Sequence, residues 1–267
     1  MTPKSGLATA LVAAVVAAIV SAATVLIVWR TAPGVVEVAS GGLGEKQIIE
    51  IVRNYLTENP EILVEMTTEL DKRQQAEQAE EQEKAISENA DALFRSPLSF
   101  AAGNPDGDVT VVEFFDYNCG FCRRAMPHVL KLIDTDDQVK VVFKELPIFG
   151  EDSEDAAKGA LAAHKQGKYF EMHQKLFSEP GKANKDKVLR IANEIGLDVP
   201  QLEEDMQGGS VQEALDETRE LAQKLGLQGT PLYLIGDRTI PGAPEDLYDQ
   251  LVEKVAEVRQ NGCNATC

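Results

Sequence analysis

Apolar and polar positions divide this chain into stretches of sharply different character. Gly6 to Trp29 is rich in Ala, Val and Ile, and no charge falls between Lys4 and Arg30. Such a run is long enough to cross a bilayer, and Trp29 sits where aromatic residues gather at the interface. Val20-Ser21-Ala22 would suit a leader cleavage site, but the apolar part of a leader runs only ~7–15 residues. An uncleaved anchor over residues 1–30 is therefore expected. Residues 31–45 hold Pro33 and several glycines and read as a linker. Residues 46–95 read as helix. Ile48, Ile49, Ile51, Val52, Tyr55 and Leu56 share one face, Pro60 suits a helix start, and Ile62, Leu63, Met66 and Leu70 continue the stripe. From Asp71 to Asn89 nearly every residue is charged or Gln, with no face to bury in a monomer core. This stretch is either a solvated spacer or a stalk for self-association.

Beyond a turn-rich segment at 96–108, the pattern changes. Val109, Val111, Val112, Phe114 and Phe115 form a short, β-branched and aromatic run, which reads as a buried strand. Helical spacing follows at Met126, Val129, Leu130 and Ile133. Val139 to Leu146 is a second buried-type strand. Residues 151–226 read as helices throughout, with glycines mostly at the joints. Pro231 to Ile235 and Arg238 to Ile240 form a hairpin about Gly236-Asp237. Leu247, Leu251, Val255 and Val258 mark a last helix.

Composition narrows the partners. The formal net charge is −18, which argues against nucleic acid and anionic membrane surfaces as main partners. The four cysteines fall in two close pairs, Cys119/Cys122 and Cys263/Cys267. On the far side of an anchor such pairs are disulfide chemistry.

Cys119-Gly-Phe-Cys122 lies where the first strand ends and a helix begins. Unpaired N–H groups and the helix dipole favour a thiolate at Cys119, and the thiolate is the reactive species. Cys122, about one turn on, is placed to close a disulfide. The alternative, half of a zinc site, wants four N or S ligands, and only His128 is near. No metal and no organic cofactor are expected. Glu113 sits in the apolar strand before Cys119, where burial would raise its pKa and let it relay protons. The other reading places it on a solvent face.

The strand–CxxC–helix order, the helical block, and Gly229-Thr230-Pro231 heading a later hairpin resemble the DsbA-like thiol-disulfide oxidoreductases over about residues 98–260. That resemblance implies an α/β, thioredoxin-like fold at 96–260 with a helical insertion at about 151–226. It implies that Cys119 attacks and Cys122 resolves, and that Pro231 is a cis proline facing them. It pairs Glu113 with Lys144 on the neighbouring strand. Thr230 departs from the valine of strongly oxidising members and leaves the direction of electron flow open. Phe121 offers an apolar contact to substrate.

The anchor and stalk resemble membrane-tethered and copper-sensitivity branches of the family. The expected setting is a bacterial inner membrane with the catalytic domain in the periplasm. The expected partners are cysteine-containing exported proteins, a membrane redox partner, and further copies of the chain through residues 46–95. Cys263 and Cys267, in a polar tail at 261–267, read as a structural or labile disulfide, or as soft ligands for copper. A different functional class stays open: a non-catalytic oligomeric holdase or a metal-handling protein on the same fold.

Overall fold

The structure, a computed structural model, describes residues 44–263. The expected anchor at Gly6–Trp29, the linker through residue 43, and Cys267 lie outside them. Among the described residues no helix is long and apolar enough to cross a membrane.

The chain forms two compact units that divide between Leu70 and Asp71. In the first, helix α1 (Glu45–Glu58) buries no residue. Its start is closed by Gln47 Oε1, which accepts from Gly44 N at 3.1 Å. Helix α2 (Glu61–Glu88) begins in this unit. Ile48, Ile49, Ile51, Val52 and Tyr55 stay about half exposed, as do Met66 and Leu70. The amphipathic face read from the sequence is therefore present and uncovered.

In the second unit the stretch after Asp71 departs from expectation. It does bury a face. Ile86, Ala90, Leu93 and Phe94 are all buried, the last three on helix α3 (Ala90–Phe94). They stand at i, i+4, i+7 and i+8, one side of a helix. They pack with Val112, Phe114 and Leu234 beneath the sheet. The unit boundary thus falls inside α2 and not at residue 96.

The sheet comprises β1 (Phe100–Gly103), β2 (Val109–Phe115), β3 (Val139–Glu145), β4 (Leu232–Ile235) and β5 (Arg238–Pro241). Their order is β1-β3-β2-β4-β5. Strand β2 runs parallel to β3 and antiparallel to β4. All seven of its residues are buried, which explains why apolar residues sit on both of its faces instead of alternating with polar ones, with Thr110 and Glu113 as buried exceptions. Strand β1 falls in the segment expected to be turns. It forms because Phe100 and Ala102 alternate inward against the core, with Phe100 opposite Phe143 on β3.

Helix α4 (Gly120–Thr135) follows β2, and α5 (Glu151–Lys165), α6 (Tyr169–Ser178), α7 (Lys185–Glu194), α8 (Val199–Met206) and α9 (Gly209–Lys224) lie between β3 and β4. Helix α10 (Leu247–Asn261) closes the domain. Helices α4 and α10, with most of the inserted block, bury one sheet face. The end of α2, α3 and the end of α9 bury the other. Gly159 is not at a joint but inside α5. A Cβ there would come within 2.3 Å of Val188 Cγ1, so its cost in helix propensity permits the close approach of α5 and α7.

Because Phe94 is a fully buried ring, Phe94→Ala should cost about 3–5 kcal/mol by urea denaturation. Glu80→Ala, on the solvated part of α2, should stay within about 0.5 kcal/mol. Equal small effects would return residues 71–94 to a detached spacer.

Candidate active site

Cys119 stands at the N-cap of α4 and its sulfur does the capping. The Cys122 N–H points at Cys119 Sγ, 3.4 Å away. Across from it the Thr230–Pro231 peptide is cis, and as a thiol Cys119 donates to Thr230 O at 3.3 Å. Both cysteines are free thiols. The Cys119 thiol is lowered from 9.0 to about 5, chiefly by the Cys122 thiol donating to it. Burial opposes that shift, while the Thr230 side chain and the N–H groups of Cys122 and Phe121 assist it. Thr230 Oγ1 is buried without a hydrogen-bond partner among the described residues, which leaves it able to donate to the thiolate. Cys122 moves the other way. Burial, with its donation to Cys119, raises its pKa far above the thiol range.

Glu113 lies beneath this pair, 3% exposed. Burial pushes its carboxyl from 4.5 up to about 8, against a hydrogen bond from Tyr233 that favours the charged form. Tyr233 OH donates to Glu113 Oε1 at 3.0 Å from the position directly opposite on β4. The solvent-face reading of Glu113 is excluded. Phe121 is 54% exposed. It borders a cleft of about 470 Å³ with Thr230, Pro231, Leu227 and Pro241, and Arg124 lies over its ring at 4.3 Å.

Residues 110–256 match the DSBA-like thioredoxin domain family. The chain belongs to that family. A thioredoxin-like oxidoreductase from Silicibacter pomeroyi DSS-3 is 49% identical over 64% of this chain and 98% of that one, with a TM-score of 0.62. ScsC of Proteus mirabilis, solved in a compact conformation, is 31% identical over 80% of this chain and 100% of that one, with a TM-score of 0.59. The probable disulfide bond formation protein D of Bacillus cereus is 28% identical over 56% of this chain and 76% of that protein. Curated relatives also include the Na(+)/H(+) antiporter NhaA 1 of Mycobacterium sp. (strain KMS), 29% identical over 52% of this chain; the chain spans 24% of that protein's length. Residues 45–77 separately match the copper resistance protein ScsC N-terminal domain.

The DsbA-like frame brings Cys119, Cys122, Glu113, Thr230 and Pro231 together but leaves Lys144 apart. This corrects the expected Glu113–Lys144 pair. In the β2–β3 register Glu113 stands beside Phe143, and Lys144 beside Phe114. Side chains alternate between faces along a strand, so Lys144 faces the opposite side of the sheet. There it donates to Glu217 at 2.7 Å and to Ala92 O at 2.6 Å. Cys263 is disulfide-bonded; Cys267 lies outside the described residues.

Several site residues escaped the sequence reading. Asp116, 2% exposed, accepts from Asn118 N and Ser153 Oγ through Oδ1, at 2.7 and 2.8 Å. Through Oδ2 it accepts from Ile148 N and Phe149 N, at 2.7 and 3.2 Å. One carboxylate thus binds the cysteine loop to the β3–α5 connection. Arg123 ties the same loop to the helical block: its guanidinium donates to the Phe177, Glu179 and Tyr117 carbonyls. Further in, Tyr117 OH and His173 Nδ1 are 3.0 Å apart, and burial lowers His173 to about 3, so it stays neutral. Tyr169 OH donates to Glu145, whose carboxyl burial raises to about 7. Only Asp three residues before the first cysteine carried a local signal, since Asp favours turns that receive backbone N–H groups.

In the reduced protein, iodoacetamide should alkylate Cys119 with a titration midpoint near pH 5, with a second inflection near pH 8 from Glu113. Glu113→Gln should abolish the second inflection and keep the first. A single midpoint near 9 would show that the site does not stabilise the thiolate.

Proposed function

We propose that this protein is an extracytoplasmic thiol-disulfide oxidoreductase acting on cysteine-containing exported proteins. The observation that carries the reading is two free thiols one helical turn apart, Cys119 Sγ capping α4 against the Thr230 carbonyl and Cys122 fully buried, a geometry that splits them by pushing the first thiol down and the second up. That split supports different tasks for the two cysteines.

In the reduced form the Cys119 thiolate attacks one sulfur of a substrate disulfide. A Cys119–substrate bond forms, and the other substrate sulfur leaves as thiolate. The charge on Cys119 is then gone. That charge was one cause of the raised pKa at both Glu113 and Cys122, so its loss eases deprotonation of each. Glu113 gives its proton to the departing substrate thiolate and, now ionised, takes the Cys122 proton. Cys122 attacks Cys119 Sγ, the Cys119–Cys122 disulfide forms, and the second substrate sulfur leaves. The reverse sequence delivers a disulfide to a dithiol substrate. Net direction depends on the reduction potential of the pair relative to its partners, and equilibration with glutathione buffers measures it. Lys144 takes no part in these steps; its ion pair with Glu217 anchors α3 and α9 to the sheet.

The sequence supports an export setting through Gly6–Trp29 and its uncharged length. The uncovered faces of α1 and the start of α2 support self-association, and the match of residues 45–77 to the ScsC N-terminal domain favours the same region for it. That match also keeps copper handling as the second reading, in which the reduced thiols are ligands. Disulfide exchange with a dithiol peptide, in metal-free buffer, separates the two.

Cys122→Ala, in a background with Cys263 and Cys267 changed to Ser, should accumulate mixed disulfides with exported proteins, seen as reducible bands on a non-reducing gel. Cys119→Ala should give few and lower exchange at least about a hundredfold. Reversal of that pattern would overturn the assigned roles.

Light scattering of residues 44–267 should show a multimer, and deletion of residues 44–70 should return a monomer with its exchange activity. The deletion ends at 70 because Ile86 to Phe94 belong to the catalytic core. A monomer in both cases would leave α1 and the start of α2 as a spacer.

A further inference from the structure

Two clefts of the second unit share a wall. The first is the apolar cleft of about 470 Å³ beside Phe121 and the Thr230–Pro231 turn. The second, about 730 Å³, lies between α2 and the chain leaving α9, with Gln75 and Gln78 on one side and Gln223 on the other. Gln82, Gly226 and Gln228 line both, so the two form one trough. It starts at the carbonyl that touches Cys119 Sγ and ends along α2.

Its chemistry changes along its length. Near the sulfur it is apolar. Along α2 it is lined by neutral amides, with Gln75, Gln78 and Gln82 at i, i+3 and i+7, on one helix face. Each amide carries two donors and an oxygen with two lone pairs; Gln82 already donates one N–H to Leu225 O at 3.5 Å and keeps the rest. An extended main chain presents alternating N–H and C=O groups and accepts such partners whatever its side chains. The charges at the rim are one of each sign, Glu81 and Lys224, and Lys224 is already held by Glu220 at 2.7 Å. The trough therefore selects for backbone, not for charge.

We propose that this trough is a subsite for the main chain flanking the substrate's reacting cysteine, with Gln75, Gln78 and Gln82 as its recognition side chains. The proposal rests on the exchange reaction above. Gln75 to Gln82 spans about 10 Å at 1.5 Å per helical residue, room for about three residues of extended chain. The polar end of α2 thereby gains a task in substrate choice: extended polypeptides engage it, and compact thiols do not reach it.

The test uses the full chain and Gln75→Ala/Gln78→Ala, both in helix-favouring substitutions. Each is assayed with a short unstructured peptide bearing a disulfide and, separately, with oxidised dithiothreitol. Two lost hydrogen bonds should raise the peptide KM about tenfold with kcat kept, and the peptide-to-dithiothreitol ratio of kcat/KM should fall alike. In Cys122→Ala, a benzophenone amino acid at position 78 should crosslink to a peptide trapped on Cys119. An unchanged ratio with no crosslink would overturn the subsite and leave the exchange reaction standing. No exchange by the unaltered chain with either substrate would remove the exchange reading and the subsite with it.

Discussion

Cys119 follows β2 by a short turn and caps α4 with its own sulfur, and the rest of the site follows from that placement. The central strand β2, buried on both faces, delivers the chain to the turn just before the sulfur. There the first N–H groups of α4 and the Cys122 thiol meet it. These donors lack partners within the helix, so a negative charge on Cys119 satisfies groups that would otherwise need water. The hydrogen bond from the Cys122 thiol favours the thiolate on Cys119 and holds the proton on Cys122, since both cannot carry charge in so small a space.

Glu113 and Cys119 pull reduced-state stability in opposite directions with pH. A carboxyl raised from 4.5 to about 8 binds more protons folded than unfolded. The stability tied to it is present below 4.5 and lost as pH rises through about 8. A thiol lowered from 9.0 to about 5 does the reverse: its contribution is complete above 9.0 and lost as pH falls through about 5. Between these values the folded protein holds a proton on Glu113 and a charge on Cys119, close together. That is a stored proton next to a nucleophile, which exchange chemistry needs.

The other sheet face has a different task. Lys144 is fully buried, and its ion pair with Glu217 and its bond to Ala92 O join β3, α9 and α3. Taking an ammonium out of water costs several kcal/mol, so such a lysine persists only where its partners are held. The partners come from residue 92, before the sheet in sequence, and residue 217, in the helical block after β3. The segment before the sheet is therefore part of the same compact unit as the sheet, and it brings Gln82 to the cleft beside the cis Thr230–Pro231 peptide.

The sequence alone determined what neighbours along the chain decide. Its apolar run and the spacing after it placed Cys119 and Cys122 at a strand–helix junction. The hairpin about Gly236-Asp237 and the helical block came from the same local periodicity. The amphipathic face from Ile48 to Leu70 was equally legible. Partnerships across the sheet were not. Whether Glu113 meets Lys144 depends on the register between β2 and β3, and a shift of one residue puts the two on opposite faces. Asp116 looked like an ordinary turn residue because its partners, Ile148, Phe149 and Ser153, are far along the chain. Ile86, Ala90, Leu93 and Phe94 were diluted among charges, and only the sheet that receives them made them a core. Local spacing sets each element, but the contacts that bury a charge or share a proton belong to residues that meet only when the chain is folded.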